Sequence, residues 1–199
     1  LSIRRQRQMC IRDSSHIITC LVEGEFMQME DVYRIDQGIE RYMTKTQKKT
    51  ADFMEGCMEL GGLLGDWQED EIIELKKYGH ALGMAFQITD DIMDYRETAE
   101  TTGKPVGNDL REGLLTYPLL SIVNDGNKDK LLEDIKGLNN GGNEQDIIDY
   151  VIAQGGIDNT LAVADKYCKD ALAALAAVRD FPGKEFLVMA VENLADRKV

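Results

Sequence analysis

Apolar residues recur at helical spacing along most of the chain, and the alternating pattern typical of strands is scarce. This periodicity predicts a first helix over about residues 17–30. It predicts a second helix from near Asp36, a plausible N-cap, through the stretch KKTADFMEGCMELGGLL. A third helix is expected to follow GDWQED and to continue through residues 90–94. The pattern therefore indicates an all-α fold.

Glycine, proline and asparagine mark the predicted breaks between the later helices. The stretch TAETTGKPVGND combines two glycines with a proline and has no apolar period, so it is predicted to be a loop. Pro118 suits the first turn of the next helix. LNNGGNEQD predicts another turn, followed by helices over about residues 144–154, 156–179 and 183–197. No internal repeat is visible.

Composition narrows the class of protein. A chain of 199 residues with 43% hydrophobic content can form one domain with a substantial core. The net charge of -13 argues against non-specific binding of nucleic acid. No apolar run approaches the roughly 20 residues that a membrane span needs. The cysteines lack disulfide or zinc spacing and are expected to be small core residues of a cytoplasmic protein: Cys10, Cys20, Cys57 and Cys168.

The amino-terminal stretch LSIRRQRQMCIRDS differs from the rest of the chain. It carries four arginines within an otherwise acidic protein and shows no clean amphipathic stripe. A secretory signal would need an apolar core after the positive charges, and none follows. We expect residues 1–15 to be a disordered or non-native leader, with the domain proper spanning residues 16–199.

Three aspartates lie within about one turn of the strongly apolar segment GMAFQITDDIMDY, at Asp90, Asp91 and Asp94. Like charges at this spacing destabilise a helix by roughly 0.2 to 0.5 kcal/mol per pair. They share a narrow polar face with Gly83 and Gln87, and a helix that is apolar on nearly all other sides is normally buried. The polar face is therefore predicted to line a cavity, with Gly83 leaving space. The alternative is a solvated acidic face.

The aspartates offer only oxygen ligands, which favours Mg²⁺ as their counterion. Neither His16 nor His80 lies at ligand spacing beside them. Mg²⁺ commonly shares its coordination with substrate phosphates, so a phosphorylated substrate is expected. Lys104 lies between Gly103 and Pro105 in the following loop, where it could contact a phosphate. The loop is not a Walker A sequence, and such a lysine is more often simply solvated.

Basic charge is also concentrated in KTQKKTA, which contains Lys45, Lys48, Lys49 and Thr50. These residues could form a second phosphate contact. The alternative is an ordinary solvated face, and the spacing alone slightly favours that alternative.

The segments EGEFMQ, KKTA, GMAFQITDDIMDY and GKPVGNDLREGLLTYPLL, in this order and at these separations, resemble the trans-isoprenyl diphosphate synthases, or polyprenyl synthetases. The resemblance covers about residues 17–197 and corresponds to the carboxyl-terminal part of that family. It implies a single bundle of long helices around a central cavity. DDIMD is similar to the family's second aspartate-rich motif, and the details resemble the long-chain or geranylgeranyl type rather than a terpene cyclase.

The resemblance implies a role for each acidic residue of this region. Asp90, Asp91 and Asp94 would bind Mg²⁺ that bridges to the allylic diphosphate, with Asp90 the most direct ligand. Asp109 would hold the loop and the outer shell of the metal.

The resemblance also implies the substrate contacts. Lys49 and Thr50 match the family's lysine and threonine that contact the allylic diphosphate, and Lys104 matches its loop lysine. Gln87 would stand beside the reacting carbons, and Phe86 would pack near isopentenyl diphosphate. Together these residues imply the Mg²⁺-dependent condensation of isopentenyl diphosphate with an allylic diphosphate, in a homodimer or heterodimer.

One departure from the family pattern changes the expectation for this chain. The family carries a first aspartate-rich motif with two following arginines, upstream of the segments matched here, and the 199 residues contain neither. We therefore expect an amino-terminally truncated synthase. The alternative is a non-catalytic subunit or an inert fragment that retains the fold.

Overall fold

The computed structural model describes residues 3–96 and 107–196. The first range contains, in chain order, α1 (Ile3–Glu30), α2 (Gly38–Thr46), a π-helical segment (Gln47–Ala51), α3 (Asp52–Leu64) and α4 (Glu69–Arg96). The second contains α5 (Asn108–Glu112), α6 (Tyr117–Leu120), α7 (Lys128–Gly137), a 3₁₀ turn (Leu138–Asn140), α8 (Glu144–Ala153), α9 (Gly156–Ala176) and α10 (Lys184–Asp196). Neither range contains a strand, which confirms the prediction of an all-α fold.

The amino-terminal helix is longer than predicted. Helix α1 begins at Ile3 rather than near residue 17, because residues 3–16 contain no glycine or proline to interrupt it. Whether residues 1–15 are native to the domain stays a prediction.

The predicted second helix is confirmed as a nearly continuous run from α2 to α3. It begins at Gly38, with Gln37 at the N-cap. The prediction that Asp36 caps it is wrong, since the Asp36 carboxylate instead lies 3.7 Å from the Arg34 guanidinium. The π-helical segment between the two helices was not predicted. Such segments are rare and occur frequently at functional sites.

The connection after α4 is described only at its end. Residues 97–106 of the predicted loop region, including Lys104, lie outside the described residues. Gly107 adopts the left-handed conformation, with φ of 73°, and Asn108 and Asp109 already belong to α5. The predicted loop therefore ends two residues earlier than expected.

The carboxyl-terminal helices follow the prediction closely. Pro118 lies in the first turn of α6, as expected from its missing amide hydrogen. The predicted turn contains the 3₁₀ segment and Gly141 in the left-handed conformation, with φ of 91°. Asn143 then caps α8 by accepting a hydrogen bond from the Gln145 backbone N–H at 3.1 Å. The last three helices match the predicted ranges to within about three residues at each end.

Helix α4 is the centre of the bundle, because its apolar residues contribute to both hydrophobic clusters of the core. One cluster buries Met84, Ile88 and Ile92, and the other buries Leu75, Tyr78 and Ala85. Complete burial of one such aliphatic side chain contributes about 1.5–3 kcal/mol. Helix α9 packs closely against α4 through a buried stripe of small residues: Ala164, Cys168, Ala171 and Ala174. This packing fixes the position of the aspartate-bearing end of α4.

The cysteines agree with the prediction only in part. Cys20 and Cys168 are buried core residues, as expected, whereas the Cys57 thiol is exposed on α3. The Cys10 side chain lies outside the described part of the chain. A helix suited to crossing a lipid bilayer is not found among the described residues.

Candidate functional site

The aspartate end of α4 faces a cavity of about 260 Å³ enclosed by α1, α2, the π-helical segment and the start of α6. Asp90 is exposed and lies at the rim of the cavity. Asp91 is only 4% exposed and lies in the cavity wall. The charged and amide side chains that line the cavity include Lys45, Lys49, Gln87, Asp90, Asp91 and Asp109. The polar face of α4 therefore lines a cavity, and the alternative of a solvated acidic face is excluded for Asp91.

Both carboxylate oxygens of Asp91 accept hydrogen bonds from protein donors. The Tyr42 hydroxyl on α2 donates to Oδ2 at 2.5 Å. The Gln87 side-chain amide, one turn earlier on α4, donates to Oδ1 at 3.1 Å. Hydrogen bonds to a charged acceptor are stronger than neutral ones and fix its orientation. Asp91 is therefore held in one position before any ligand binds.

The same network reaches the π-helical segment. The Thr50 hydroxyl donates to the Gln87 side-chain oxygen at 3.0 Å. Thr50, Gln87, Asp91 and Tyr42 thus form one chain of hydrogen bonds that joins α4 to both parts of the preceding helix. Two of the residues predicted to contact substrate, Thr50 and Gln87, are brought into direct contact by this chain.

Two glycines allow the π-helical segment to pack closely between α1 and α4. A Cβ atom on Gly24 would lie 2.6 Å from the Lys49 backbone nitrogen, and one on Gly83 would lie 2.6 Å from the Ala51 Cα. The prediction that Gly83 leaves space in the cavity is wrong, because the backbone of Ala51 occupies that space. Gly83 instead permits the close approach that places Lys49 and Thr50 beside α4.

This packing gives a prediction on stability. The change Gly83→Ala should destabilise the fold by about 1–3 kcal/mol, since the methyl group must displace the Ala51 backbone. The matched change Gly61→Ala on α3 adds the same methyl group in open space. It should stabilise the protein by roughly 0.5–1 kcal/mol, which is the helix propensity difference alone. Urea unfolding measures both, and equal effects of the two changes would refute the close-packing role.

Asp94 lies apart from the cavity and organises the chain from Gly107 to Asp109. Its two carboxylate oxygens accept the backbone N–H groups of Asn108 and Asp109, at 3.1 and 3.2 Å. Its backbone carbonyl accepts the N–H of Gly107 at 3.0 Å. Asp94 therefore caps the start of α5 and positions Asp109. The metal role predicted for Asp94 stays a prediction, and the structure does not bring its carboxylate into the cavity wall.

Burial and mutual repulsion disfavour the charged form of these carboxyl groups. Burial raises the pKa of Asp91 to about 6, although the hydrogen bonds from Tyr42 and Gln87 act in the opposite direction. Burial, followed by the charges of Asp94, Asp91 and Asp90, raises the pKa of Asp109 to about 7. Burial also raises the pKa of Asp94. A cation between these groups would offset the repulsion.

Lysines of the KTQKKTA stretch differ in their surroundings. Lys48 pairs with Glu23 at 2.6 Å on an exposed part of α1. The Lys49 ammonium donates to the Gln28 side chain at 2.9 Å and lies 3.0 Å from Glu25. Lys45 is buried, and burial lowers the pKa of its ammonium group. The alternative of a solvated face therefore holds for Lys48 but not for Lys45.

The predicted site residues are gathered only in part. The structure brings Lys49, Thr50, Gln87, Asp90, Asp91 and Asp109 around or against the cavity. Phe86 is 39% exposed and does not line it, and its predicted contact with substrate stays a prediction. Lys45, predicted as a possible phosphate contact within KTQKKTA, also lines the cavity. Tyr42 and Thr116 line it too, and sequence reasoning did not place either of them there. The position of Tyr42, one and two turns before Lys45 and Lys49, is the signal that could have found it.

A separate cluster, on α3 and α4, brings three possible metal ligands together. Asp52, Glu55 and His80 offer ligand atoms within 4.8 Å of one another. The Lys76 ammonium lies 3.6 Å from Glu55 and 2.9 Å from Glu59. This cluster is accounted for as an ion-pair network between α3 and α4, because Lys76 supplies the positive charge.

The cavity residues fit a hard divalent cation such as Mg²⁺. Asp90, Asp91 and Asp109 supply only oxygen atoms, and Asp91 and Asp109 have raised pKa values in the protein without a metal. A protein that provides few carboxylates leaves coordination positions for water or for phosphate oxygens. Lys45 and Lys49, in the wall of the same cavity, suit an anionic partner of that cation.

The all-helical bundle, with carboxylates and lysines around a cavity, agrees with the isoprenoid synthase fold that the sequence resemblance implies. The structure is similar to heptaprenyl diphosphate synthase from Staphylococcus aureus, with a TM-score of 0.84 and 27% identity, over 100% of this chain and 62% of that chain. It is also similar to a geranylgeranyl pyrophosphate synthase, with a TM-score of 0.84 and 25% identity, over 98% of this chain and 62% of that chain. These similarities confirm the expected fold class.

Residues 4–154 match the family model described as polyprenyl synthetase, and the chain belongs to that family. It is 33% identical to octaprenyl diphosphate synthase of Escherichia coli over 178 residues, which are 87% of this chain and 55% of that protein. It is 33% identical to heptaprenyl diphosphate synthase component 2 of Geobacillus stearothermophilus, over 75% of this chain and 47% of that protein. The chain spans about half the length of these curated relatives.

Proposed function

We propose that this chain forms the part of a Mg²⁺-dependent polyprenyl diphosphate synthase that binds an allylic diphosphate and promotes its ionisation, so that isopentenyl diphosphate can extend it by one isoprene unit. The observation that carries this proposal is the cavity in which Asp90, Asp91 and Asp109 share the walls with Lys49 and Gln87. Membership of the polyprenyl synthetase family supports the reaction class.

The chemistry of the reaction matches the charges of the cavity. Asp90 and Asp91 would hold Mg²⁺, with Asp109 behind them. Mg²⁺, when bound, neutralises the charge that develops on the departing diphosphate. Lys49 would donate hydrogen bonds to the same leaving group. Preorganised charges of this kind lower the barrier because they do not reorganise during the reaction.

Gln87 and Thr50 are proposed to orient the substrate rather than to transfer protons. Their mutual hydrogen bond and the bond from Gln87 to Asp91 fix both side chains relative to the carboxylate wall. Loss of the diphosphate leaves a carbocation that water would destroy. Apolar neighbours such as Leu114 and Leu115 in the cavity wall help to exclude water from that position.

The proposal predicts coupled binding of metal and diphosphate. Mg²⁺ should bind weakly to the protein alone and more tightly with inorganic pyrophosphate, because the phosphates complete the coordination that the protein leaves open. Isothermal titration calorimetry measures both affinities. Asp90→Ala should weaken the coupled binding by at least about tenfold, and Asp149→Ala, at an exposed position on α8, should leave it unchanged. Mg²⁺ binding that pyrophosphate does not strengthen would contradict the proposed function.

An exposed apolar stripe on α1 supports association with a second subunit. Ile18, Val22, Phe26 and Met29 form a stripe along α1, and their side chains are 44% to 65% exposed. Exposed apolar stripes of this size commonly mark protein interfaces. One relative is named as a component of its synthase, which is consistent with assembly from more than one chain. We propose a homodimer or heterodimer, and as the second candidate function a non-catalytic subunit of such an assembly.

We also propose a cytoplasmic location. The thiols of Cys20 and Cys57 are not in disulfides, as expected for a reducing compartment.

A further inference from the structure

The ammonium group of Lys45 is buried with fewer hydrogen-bond partners than it can use. Lys45 is 8% exposed, and its Nζ donates one hydrogen bond, to the Gln37 side-chain oxygen at 3.3 Å. The Asp31 carboxylate is 3.9 Å away, and the Tyr42 ring centroid is 5.8 Å away. An ammonium group has three donors, and burying an unsatisfied charge is costly. At least one donor is therefore available for another acceptor.

The nearby acid forms only a long ion pair with Lys45 and accepts no hydrogen bond from it. Asp31 accepts a hydrogen bond from the Arg41 guanidinium at 2.7 Å and lies 3.5 Å from Arg34. Its second oxygen, the one nearest to Lys45, has no hydrogen-bond partner in the structure. Three cations thus share one buried carboxylate, and Lys45 makes the longest of the three contacts.

Thr116 is a second under-satisfied group in the same cavity. Its side chain is largely buried, with the residue 9% exposed. Its hydroxyl lies near the buried Tyr95 hydroxyl, but neither group makes a hydrogen bond of normal geometry. Thr116 stands at the N-cap of α6, but its side chain makes no capping bond there. Buried hydroxyl groups are normally paired, and leaving one unpaired costs about 1–3 kcal/mol. Lys45 and Thr116 both line the 260 Å³ cavity with Asp91.

We propose that Lys45 and Thr116 are further substrate-binding residues that contact the phosphate oxygens of the diphosphate, in addition to Lys49. This inference rests on the proposed function, because it assigns two more contacts to the same site. Phosphate oxygens can accept hydrogen bonds from both the ammonium and the hydroxyl group, which leaves neither unsatisfied. The charge of Lys45 adds to that of Lys49 opposite the carboxylates, and Gln37 and Asp31 keep it in place.

Calorimetry with inorganic pyrophosphate in the presence of Mg²⁺ tests the inference. Lys45→Met should weaken pyrophosphate binding by about tenfold or more, as expected for the loss of a charge-assisted hydrogen bond. Lys45→Arg should restore most of the affinity. Thr116→Val should weaken binding by about threefold to tenfold, as for a neutral hydrogen bond. The matched control Lys77→Met removes an exposed lysine of α4 and should have no effect.

The variants separate this inference from the proposed function. Lys45→Met is expected to fold, because Arg34 and Arg41 still pair with Asp31 and leave no uncompensated buried charge there. Thr116→Val changes neither charge nor volume appreciably and provides an independent test. If the unchanged protein binds pyrophosphate and Lys49→Met weakens it, but Lys45→Met and Thr116→Val do not, the inference is wrong and the proposed function stands. If the unchanged protein does not bind Mg²⁺ and pyrophosphate, both fail.

Discussion

Replacing Asp109 with asparagine is expected to stabilise the metal-free protein at pH 8 and to weaken its binding of Mg²⁺ with pyrophosphate. Burial and the neighbouring acidic groups raise the pKa of Asp109 from 3.8 to about 7 in the folded protein. The folded state therefore binds more protons than the unfolded state between these two values. The free energy of unfolding should fall as the pH rises through this window, because Asp109 must ionise in a crowded site.

The size of the effect follows from the shift in pKa. Each unit corresponds to 1.36 kcal/mol, so Asp109 should lower the stability at pH 8 by on the order of 2–4 kcal/mol relative to pH 4. Asparagine has nearly the same shape and no charge. The difference in stability between Asp109→Asn and the unchanged protein should therefore be small at pH 4 and should grow towards pH 8.

Urea unfolding in the presence of a chelator, at several pH values between 4 and 8, measures this difference. Asp149→Asn is the matched control, since Asp149 is exposed and its change should give a difference that does not depend on pH. Titration with Mg²⁺ and pyrophosphate should show that the Asp109→Asn protein binds these ligands more weakly than the unchanged protein. The substitution thus increases stability and decreases ligand affinity. An Asp109→Asn protein with an unaltered pH profile would show that Asp109 is not strained in the folded state.

Carboxylates that lie close together at a functional site lower the stability of the folded protein when no ligand is bound. The rest of the fold compensates for this loss of stability. Helix α4 shows how this is arranged here. Its apolar residues are buried on both sides by the two core clusters, which holds the helix firmly whatever the state of its polar end. Two hydrogen bonds then hold the Asp91 carboxylate in place: one comes from Tyr42 on α2, and the other comes from Gln87 on α4 itself.

The fold was predictable because helical periodicity is a local property. The apolar residues of α4 and the proline and glycine signals after it define most helices without knowledge of their neighbours. The failures depend on tertiary contacts. Asp36 has the chemistry of an N-cap, but its carboxylate is taken by Arg34. The π-helical segment forms where Gly24 and Gly83 admit a backbone between two helices, and neither glycine is near the segment in sequence.

The site was predictable in its acidic half and less so in its basic half. Asp90 and Asp91 stand out because charges are rare in so apolar a segment. Asp94 has the same appearance in sequence, yet its oxygens accept the amide hydrogens of residues 108 and 109, which are distant along the chain. Lys45 and Lys48 belong to the same basic stretch, and composition does not separate them. Their difference arises from burial against α1 and α2, which only the assembled bundle determines.

The largest expected effect concerns turnover. The 199-residue polypeptide, tested alone, should show no detectable condensation of isopentenyl diphosphate with an allylic diphosphate. The resemblance implies that metals held from two aspartate-rich motifs neutralise the leaving diphosphate, and these 199 residues contain one such motif. Loss of even one preorganised electrostatic element commonly lowers the rate by about 10² to 10³. Loss of a whole motif should lower it by more.

Addition of a second aspartate-rich motif should allow the reaction. The polypeptide joined to the portion of the Escherichia coli octaprenyl relative that it does not match should form a prenyl product, detected by chromatography of radiolabelled isopentenyl diphosphate. Asp90→Ala in the joined protein should again lower the rate by about 10² to 10³, because it removes a metal ligand where negative charge develops. The Asp149→Ala control should not. Robust turnover by the isolated polypeptide would contradict the need for a second motif. A folded joined protein that binds Mg²⁺ and pyrophosphate but forms no product would favour the non-catalytic subunit, because ligand binding would then persist without turnover.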